Sequence, residues 1–181
     1  MSSSNSSSEP ESEIISSFCL RRIDGKPLEA WIAGQLLPIR VTILGEGQPA
    51  LSTSTLSTAP NPDHYRLSIQ RGDGNAPVSR FLHANGKPGL RIKAMMPRAN
   101  SLASGSDRPV VFVSGGVGIT PMIAMVNHIV GEGRRTGKFR PVWFIHGARN
   151  GRVHAFANHV RELARQHPGM KVDIRYRQPC S

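Results

Sequence analysis

A chain of 181 residues is long enough for one domain or two small ones, and 38% apolar residues permit a packed core. The formal net charge of +11 favours anions in general, whether nucleotide phosphates, acidic proteins or nucleic acid. The basic residues form no single tract, and their densest group, at 134–140, falls in a predicted loop. We therefore expect a solvated basic surface and no specific nucleic-acid site.

The cysteines and histidines show no metal-binding pattern. Cys19 and Cys180 lie far apart without metal-ligand spacing, which argues against a disulfide framework or a zinc site and suits the reducing cytoplasm. His146, His154 and His159 lie across a predicted strand, turn and helix, so structural or surface roles are favoured. We predict no bound metal and a cytoplasmic location.

The first 13 residues are serine-rich and acidic. They lack the basic start and apolar stretch of a secretory signal, and their acidic residues argue against an organelle transit peptide. We predict that residues 1–13 form a disordered tail. No apolar run in the chain approaches the roughly 18–20 residues of a membrane span, so no membrane association is expected.

Short apolar segments separated by turn signals occupy the region from residue 14 to residue 105. The turns include 44–47 and 71–75, which are rich in glycine. The pattern predicts strands at 14–20, 36–43, 51–56, 65–70 and 89–95, and a short helix at 78–84. Many short strands with frequent turns are typical of a small antiparallel barrel.

The pattern changes after the polar stretch 99–107, and residues 106–181 are predicted to form a second domain. Residues 109–114 are a continuous apolar run, typical of a strand buried on both faces of a parallel sheet. A helix follows, with Thr120 as the predicted N-cap, Pro121 at the first helical position and an end at residues 131–133. The remaining predicted elements are strands at 141–146 and 171–176 and a helix at 153–166. This β-α-β-α-β order is half of a doubly wound parallel sheet.

Three glycines, Gly115, Gly116 and Gly118, lie between the first of these strands and its helix. Glycines permit a tight turn and remove side chains where a phosphate or a flat ring must approach. The helix that follows would offer free N–H groups and a partial positive charge to an anion. A tight strand-to-helix turn explains such glycines about as well, but the buried strand before them and the Thr-Pro helix start after them favour nucleotide binding.

The glycine turn reads Gly-Gly-Val-Gly-Ile-Thr-Pro-Met from residue 115 and resembles the nicotinamide-binding turn of the ferredoxin–NADP reductase family. That family includes the reductase modules of flavohaemoglobins and bacterial reductases that carry an iron–sulfur domain. The resemblance extends to Phe-Ile-His-Gly-Ala-Arg-Asn at 144–150, His-Ala-Phe at 154–156, Thr-Leu-Ser-Thr-Ala-Pro at 55–60 and Val-Ser-Arg-Phe-Leu-His at 78–83. It covers nearly everything from residue 14 onward.

The resemblance implies a two-domain machine in which the barrel holds FAD or FMN and the α/β domain presents NADH or NADPH. Hydride passes from the nicotinamide to the flavin, and single electrons then leave for an iron–sulfur or haem acceptor. The site residues that the resemblance implies have distinct roles. They are Thr55 at the reactive edge of the flavin, Val78 and Ser79 at the flavin phosphate, and Gly115, Gly116, Gly118, Thr120 and Pro121 along the nicotinamide and its phosphates. Arg149 and Arg152, after the second strand, would meet the 2′-phosphate of NADPH or be solvated loop residues.

Two positions depart from the family's flavin motif of Arg, any residue, Tyr, then Ser or Thr. Here Ser52 stands in place of the arginine that pairs with the flavin phosphate, and Ser54 in place of the tyrosine that stacks on the ring. A charge-assisted contact is worth roughly 1.5–3 kcal/mol and an aromatic one about 0.5–1.5 kcal/mol, so flavin affinity could fall by two or three decades. Arg66, Arg71 or Arg80 are candidates to compensate.

The chain also departs from the family after its third parallel strand, where the family continues to further strands and a Cys-Gly-Pro segment. We expect a three-strand half-sheet in which the first strand is an uncovered apolar edge. Three hypotheses follow. The chain is an active flavin-dependent reductase, a truncated reductase-like remnant or accessory domain without turnover, or, from net charge alone, a basic binder of nucleic acid or acidic proteins.

Overall fold

A computed structural model of the chain describes residues 1–43, 48–72, 76–99 and 107–177. The first unit contains six strands and one helix, all with the short lengths that its frequent turns predict. They are β1 (Ser2–Pro10), β2 (Ile15–Arg22), β3 (Leu36–Val41), β4 (Ala50–Thr55), β5 (Tyr65–Gln70), α1 (Pro77–Asn85) and β6 (Arg91–Ala94). The second unit alternates strand and helix. It comprises β7 (Val110–Gly115), α2 (Ile119–Thr136), β8 (Val142–Ala148), α3 (Ala157–Gln166) and β9 (Met170–Tyr176).

The first unit is a six-stranded antiparallel sheet with the order β4-β3-β6-β1-β2-β5. A bridge between Leu56 and Leu67 joins the end of β4 to β5, so the two outer strands meet and the sheet curves into a barrel. Alternate residues of its strands, such as Leu37 and Ile39, point into a fully buried core. The predicted fold class, a small barrel followed by a three-strand parallel sheet, is confirmed.

The serine-rich start is part of the barrel, so the disordered tail predicted for residues 1–13 is wrong. The strand β1 pairs with β2 on one side and with β6 on the other. Ser3 and Asn5 are buried, and the Asn5 side-chain amide donates to the Gly86 carbonyl at 2.7 Å. The composition predicted disorder because it offers little apolar surface to bury. A strand between two neighbours is instead held by its backbone N–H and C=O groups, which need no apolar side chains.

The second unit is a parallel sheet with the order β7-β8-β9. The helices α2 and α3 cover the face that carries Phe112 and Phe144, both buried. On the other face Val111 and Val113 are 57% and 65% exposed. The strand β7 lies at the edge of this sheet, so the predicted uncovered apolar edge is present. The exposed valines show that the expectation of a strand buried on both faces is wrong.

The helix α2 begins and ends at other residues than predicted. Its N-cap is Gly118, and it continues through residues 131–133 to Thr136. Gly133 lies within the helix, and glycine is needed there because a Cβ would come within 2.7 Å of the Phe139 ring. The C-cap is Gly137, in the left-handed conformation with a φ of +74°. The predicted second helix is also shorter, because Phe156 adopts a positive φ of +61° before α3.

The two units make an apolar contact with each other. Ile15 and Ala33 from the barrel side belong to the apolar core that α2 and α3 form with the parallel sheet. The predicted boundary near residue 105 and the predicted turn at 44–47 lie outside the described residues, as do residues 73–75. Among the described helices, none has the length and apolar character to cross a membrane.

Two glycine substitutions test where α2 ends. Gly131→Ala should raise the free energy of unfolding by about 0.5–1 kcal/mol, because alanine favours a helix and a Cβ there meets no atom within 4 Å. Gly137→Ala should lower it by about 1 kcal/mol, because alanine resists the left-handed φ. Urea unfolding followed by circular dichroism measures both. A helix ending at residue 131 would instead make the first change destabilising.

Candidate functional site

The glycine turn connects the carboxyl end of β7 to α2 through a short 3₁₀ segment, Gly116–Gly118. Gly116 has a φ of +52°, in the region that favours glycine. Gly118 has an ordinary helical φ of −61°, and a Cβ at this position would meet nothing within 4 Å. The fold therefore does not require glycine at 118. The open space beside it is what a phosphate or a flat ring needs to approach the backbone.

The start of α2 has no side-chain cap, and the positive end of its dipole lies at the glycine turn. The amide of its first residue, Ile119, donates to carbonyl groups of the 3₁₀ segment. Thr120 is not the predicted N-cap. It lies in the first turn of α2, is 3% exposed, and its hydroxyl is 2.7 Å from the Thr55 hydroxyl at the end of β4. Pro121 follows within the same turn rather than at the first position. The structure thus brings Thr55 close to Thr120 and the glycine turn. Thr55 and Thr120 are 65 residues apart in sequence.

The residues predicted for flavin binding lie on β4 and at the start of α1. Ser52 and Ser54 are half-buried on one face of β4, and Thr53 between them is exposed. The Val78 side chain is buried in the barrel core. The Ser79 hydroxyl donates to the Gln70 carbonyl and accepts from the Gly72 amide, so it holds the β5–α1 connection. Because these two side chains are engaged in the barrel, a flavin phosphate could be bound here only by the amino end of α1, which has no side-chain cap.

The chain is similar to reductases along nearly its whole length. Residues 112–179 match the family model described as the oxidoreductase NAD-binding domain. The flavohemoprotein of Deinococcus radiodurans is 40% identical over 166 residues, which are 92% of this chain and 40% of that protein. The flavohemoprotein of Xylella fastidiosa is 39% identical over 171 residues, 93% of this chain and 41% of that one. The chain thus spans about two fifths of the length of these curated relatives.

A solved structure agrees with both units of the fold. The flavohem-like FAD/NAD-binding domain of nitric oxide dioxygenase from Vibrio cholerae superposes with a TM-score of 0.89 and 29% identity, covering 99% of this chain and 75% of that one. Nearly the whole chain is thus similar to these flavohemoproteins and to this FAD/NAD-binding domain. In this chain the end of β4, with Thr55, meets the start of α2, with Thr120, directly after the glycine turn.

Arg66 does not replace the arginine that this reductase-like chain lacks at Ser52. Its guanidinium donates to the Ser57 carbonyl at 2.5 Å and to the Ser57 hydroxyl at 3.3 Å. It also lies 5.2 Å from the centroid of the Phe156 ring, a cation–π contact between the two units. The Arg66 guanidinium is therefore already bound to Ser57 in the barrel and to the Phe156 ring of the second unit. Arg149 is exposed beyond β8, and its contact with a coenzyme phosphate stays a prediction.

Sequence reasoning missed a row of polar side chains across the carboxyl ends of the three parallel strands. The Ser114 hydroxyl is 2.9 Å from His146 Nδ1, and the His146 ring stacks on His154 with centroids 4.9 Å apart. His154 Nδ1 in turn lies 3.0 Å from the Tyr176 hydroxyl. The available signal was strand register, because Ser114 pairs with His146 at the end of two adjacent parallel strands.

Both stacked imidazoles are kept neutral by their surroundings. Burial, with a smaller contribution from the neighbouring His154, lowers the pKa of His146 to about 4. Burial also lowers the pKa of His154, with a smaller contribution from the charge of Arg161. Near neutral pH the row is therefore a set of uncharged hydrogen-bonding groups next to the glycine turn.

The buried imidazole of His146 should make the protein lose stability in acid. Its pKa of about 4 lies below the 6.5 of an unfolded histidine, so between these values the unfolded state binds the proton first. The free energy of unfolding should fall by roughly 2 kcal/mol from this group between about pH 7 and pH 5, and this part should be absent in His146→Gln. Urea unfolding at both pH values measures it.

The matched control is His128→Gln, on the partly exposed surface of α2 beside Glu132. It should keep the acid sensitivity of the parent chain. Equal pH slopes for the parent and His146→Gln would contradict the assignment.

Proposed function

We propose that this chain is the flavin- and nicotinamide-binding part of an oxidoreductase that passes electrons from NADH or NADPH through FAD or FMN to a haem or iron–sulfur acceptor. The observation that carries the proposal is the open space at Gly118, where α2 begins without a side-chain cap. Close by, the Thr120 hydroxyl lies 2.7 Å from the Thr55 hydroxyl at the end of the barrel strand β4. A glycine that the backbone does not need, at the amino end of a helix, is explained by a ligand that approaches closely.

In this proposal the turn residues Gly115, Gly116 and Gly118 let the coenzyme reach the backbone, and the amide groups of α2 stabilise its phosphates. Pro121 shapes the first turn of that helix. Thr120 holds the Thr55 hydroxyl in place at the end of β4, where the flavin edge would lie. A bound flavin would accept a hydride equivalent from the nicotinamide and release electrons singly. Arg149 would select for the 2′-phosphate of NADPH.

The barrel fits a flavin less well than the turn fits a nicotinamide. Ser52 and Ser54 supply neither a positive charge nor an aromatic ring, and Arg66 is engaged elsewhere. The flavin would be held by the amides at Val78 and Ser79 and by hydroxyl groups. These features favour a second candidate, a reductase-like chain without turnover of its own. In either case we place the protein in the cytoplasm.

The test is a flavin and coenzyme titration of the purified chain. FAD and FMN are added, the retained flavin spectrum is recorded, and ferricyanide reduction by NADH and by NADPH is followed. A colourless protein without turnover would leave only the second candidate.

One substitution separates coenzyme binding from folding. Gly118→Val should fold, because its backbone φ is ordinary and a Cβ at this position meets no protein atom within 4 Å, yet it should occupy the space of the coenzyme. We expect coenzyme affinity to fall at least about tenfold, the effect of about 1.4 kcal/mol of steric cost. Gly131→Val makes the same change at an open position further along α2 and should not alter it. Equal coenzyme affinity for the two variants would sink the assignment.

Restoring the two missing flavin contacts should strengthen flavin binding. Ser52→Arg with Ser54→Tyr should raise FAD or FMN affinity by about two to three decades, by adding a charge-assisted phosphate contact and a stacking ring. Fluorescence quenching of the flavin on titration measures it. Thr53→Arg adds the same charge on the opposite face of β4 and should have little effect. A similar gain from Thr53→Arg would show that net charge alone is responsible.

A further inference from the structure

A groove on the outer surface of the barrel has no part in the proposed coenzyme and flavin sites. It is open and has a volume of about 500 Å³, which is within the usual range of small-molecule pockets. Three basic residues, Arg40, Arg91 and Lys93, line it together with apolar residues that include Ile23 and Phe81. Among the described residues, no acidic one contributes to this lining.

The register of the strands places two of the basic residues side by side. Arg40 on β3 lies directly opposite Lys93 on β6, and Lys93 lies directly opposite Ser2 on β1. Directly opposite residues have their Cβ atoms about 4.5–5.5 Å apart and point to the same face of the sheet. Arg91 precedes Lys93 by two residues, so it points to that face about 7 Å away. Three exposed cationic side chains therefore share one small area of the barrel surface.

These three positive charges are not compensated by the protein. Within the described part of the chain, the charged groups of Arg40, Arg91 and Lys93 make no hydrogen bond and no ion pair. Arg22, on the neighbouring strand β2, is by contrast paired with Asp24. Like charges directly opposite each other destabilise a sheet, so the barrel folds with an unfavourable pair at this place. An anion bound between Arg40 and Lys93 would offset that repulsion through charge-assisted hydrogen bonds.

The rest of the groove supplies hydroxyl groups and an apolar wall. Ser2 and Thr42 are exposed and each adds a hydroxyl to the lining. Ile23 extends the row formed by Ser2 and Lys93, because its amide donates to the Ser2 carbonyl at 3.3 Å. Phe81 of α1 is half-buried and packs against the barrel core. The groove thus offers a ligand both positive charge and apolar surface, the usual composition of a small-molecule site.

The groove is separate from the residues predicted to bind flavin and coenzyme. Arg40 pairs with Leu51 of β4, and the next residue, Ser52, points to the opposite face of that strand. Thr55 pairs with Leu36, which is four residues, or about 13 Å, from Arg40 along β3. The glycine turn contributes no residue to the groove. A ligand here would therefore be an additional one.

We propose that this groove binds a small amphipathic organic anion. Its negative group lies between Arg40, Arg91 and Lys93, and its apolar body lies against Ile23 and Phe81. Arginine and lysine form charge-assisted hydrogen bonds with carboxylates and with phosphates, so either head group fits the three cations. The inference depends neither on the glycine turn nor on a bound flavin.

The experiment titrates the full chain, without flavin or nicotinamide, with octanoate at constant ionic strength. Binding is followed through the backbone amide signals in two-dimensional NMR spectra. We expect saturable shifts at Ile23, Arg40 and Lys93. The exposed valines of β7, Val111 and Val113, report unspecific apolar binding in the same spectra. Shifts centred on those valines, or shifts that grow without saturation, would overturn the proposal.

Three further ligands separate the charge from the apolar body. Acetate carries the charge without the chain, and 1-octanol carries the chain without the charge. Both should bind at least about tenfold more weakly than octanoate, and equal binding of either would contradict an amphipathic site. Octyl phosphate then identifies the head group. Binding about tenfold tighter than that of octanoate assigns a phosphate monoester, and equal or weaker binding assigns a carboxylate.

Lys93→Gln and Lys138→Gln form a matched pair for the charge. Both remove one exposed lysine, but Lys138 follows α2 in the second unit and does not line the groove. Lys93→Gln should weaken octanoate binding by about ten- to a hundredfold, the effect of one charge-assisted contact. Its urea midpoint should not fall, because the change also removes a like-charge pair. Equal losses of binding in the two variants would show general attraction to a basic protein, and the proposal would fail.

Ile23→Ser and Ile32→Ser form a matched pair for the apolar wall. The two side chains are 46% and 44% exposed, but only Ile23 lines the groove. Ile23→Ser should weaken octanoate binding by about three- to tenfold and leave acetate binding unchanged, whereas Ile32→Ser should alter neither. The same effect in both variants would rule out the assigned wall. Gly118→Val should leave all these results unchanged, so the groove and the proposed coenzyme turn can fail independently.

Discussion

The hydrogen bond between the Thr55 and Thr120 hydroxyls joins the end of a barrel strand to the first turn of α2 at 2.7 Å. It sets the distance between the barrel and the glycine turn, and with it the space in which two planar cofactors would have to meet. Neither hydroxyl could be moved alone, because Thr120 is 3% exposed and the core beneath it already contains Ile15 and Ala33 from the barrel side. Close packing of this kind transmits small shifts rather than absorbing them.

The glycine turn and the barrel differ in the contacts that they offer to a cofactor. The turn at Gly116–Gly118 keeps open space, a left-handed glycine and an uncapped helix. The barrel keeps the strand and the helix start but has Ser52 and Ser54 where the family has an arginine and a tyrosine. Charge and aromatic contact are the two terms that hold a flavin beyond backbone hydrogen bonds. The chain is thus better suited to a nicotinamide than to a tightly held flavin.

Neutral polar groups lie side by side where the three parallel strands end. Ser114, His146, His154 and Tyr176 form one such row at the carboxyl ends of β7, β8 and β9. Burial removes the charge from the imidazoles, so the row can be close-packed without the cost of a buried ion. The same burial leaves His154 Nε2 without a hydrogen-bond partner among the described residues.

The sequence by itself determined the order of the elements from residue 14 onward and the fold class. Alternating polar and apolar residues at 65–70, the glycine turn and the motif at 144–150 are local patterns, and local patterns suffice for them. Only the tertiary structure decided that Ser2–Pro10 is a strand, because its stability comes from the hydrogen bonds of β2 and β6. It also decided that α2 continues to Thr136, since the Phe139 ring packs against Gly133.

The pairing of Thr55 with Thr120, the commitment of Arg66 to Ser57 and Phe156, and the histidine stack likewise depend on the tertiary structure. Each joins residues far apart in the chain, and a hydroxyl, guanidinium or imidazole has many possible partners. Spacing along a sequence predicts which residues share an element. Which polar groups meet is decided by how the elements pack, because only packing removes the water that would otherwise satisfy them.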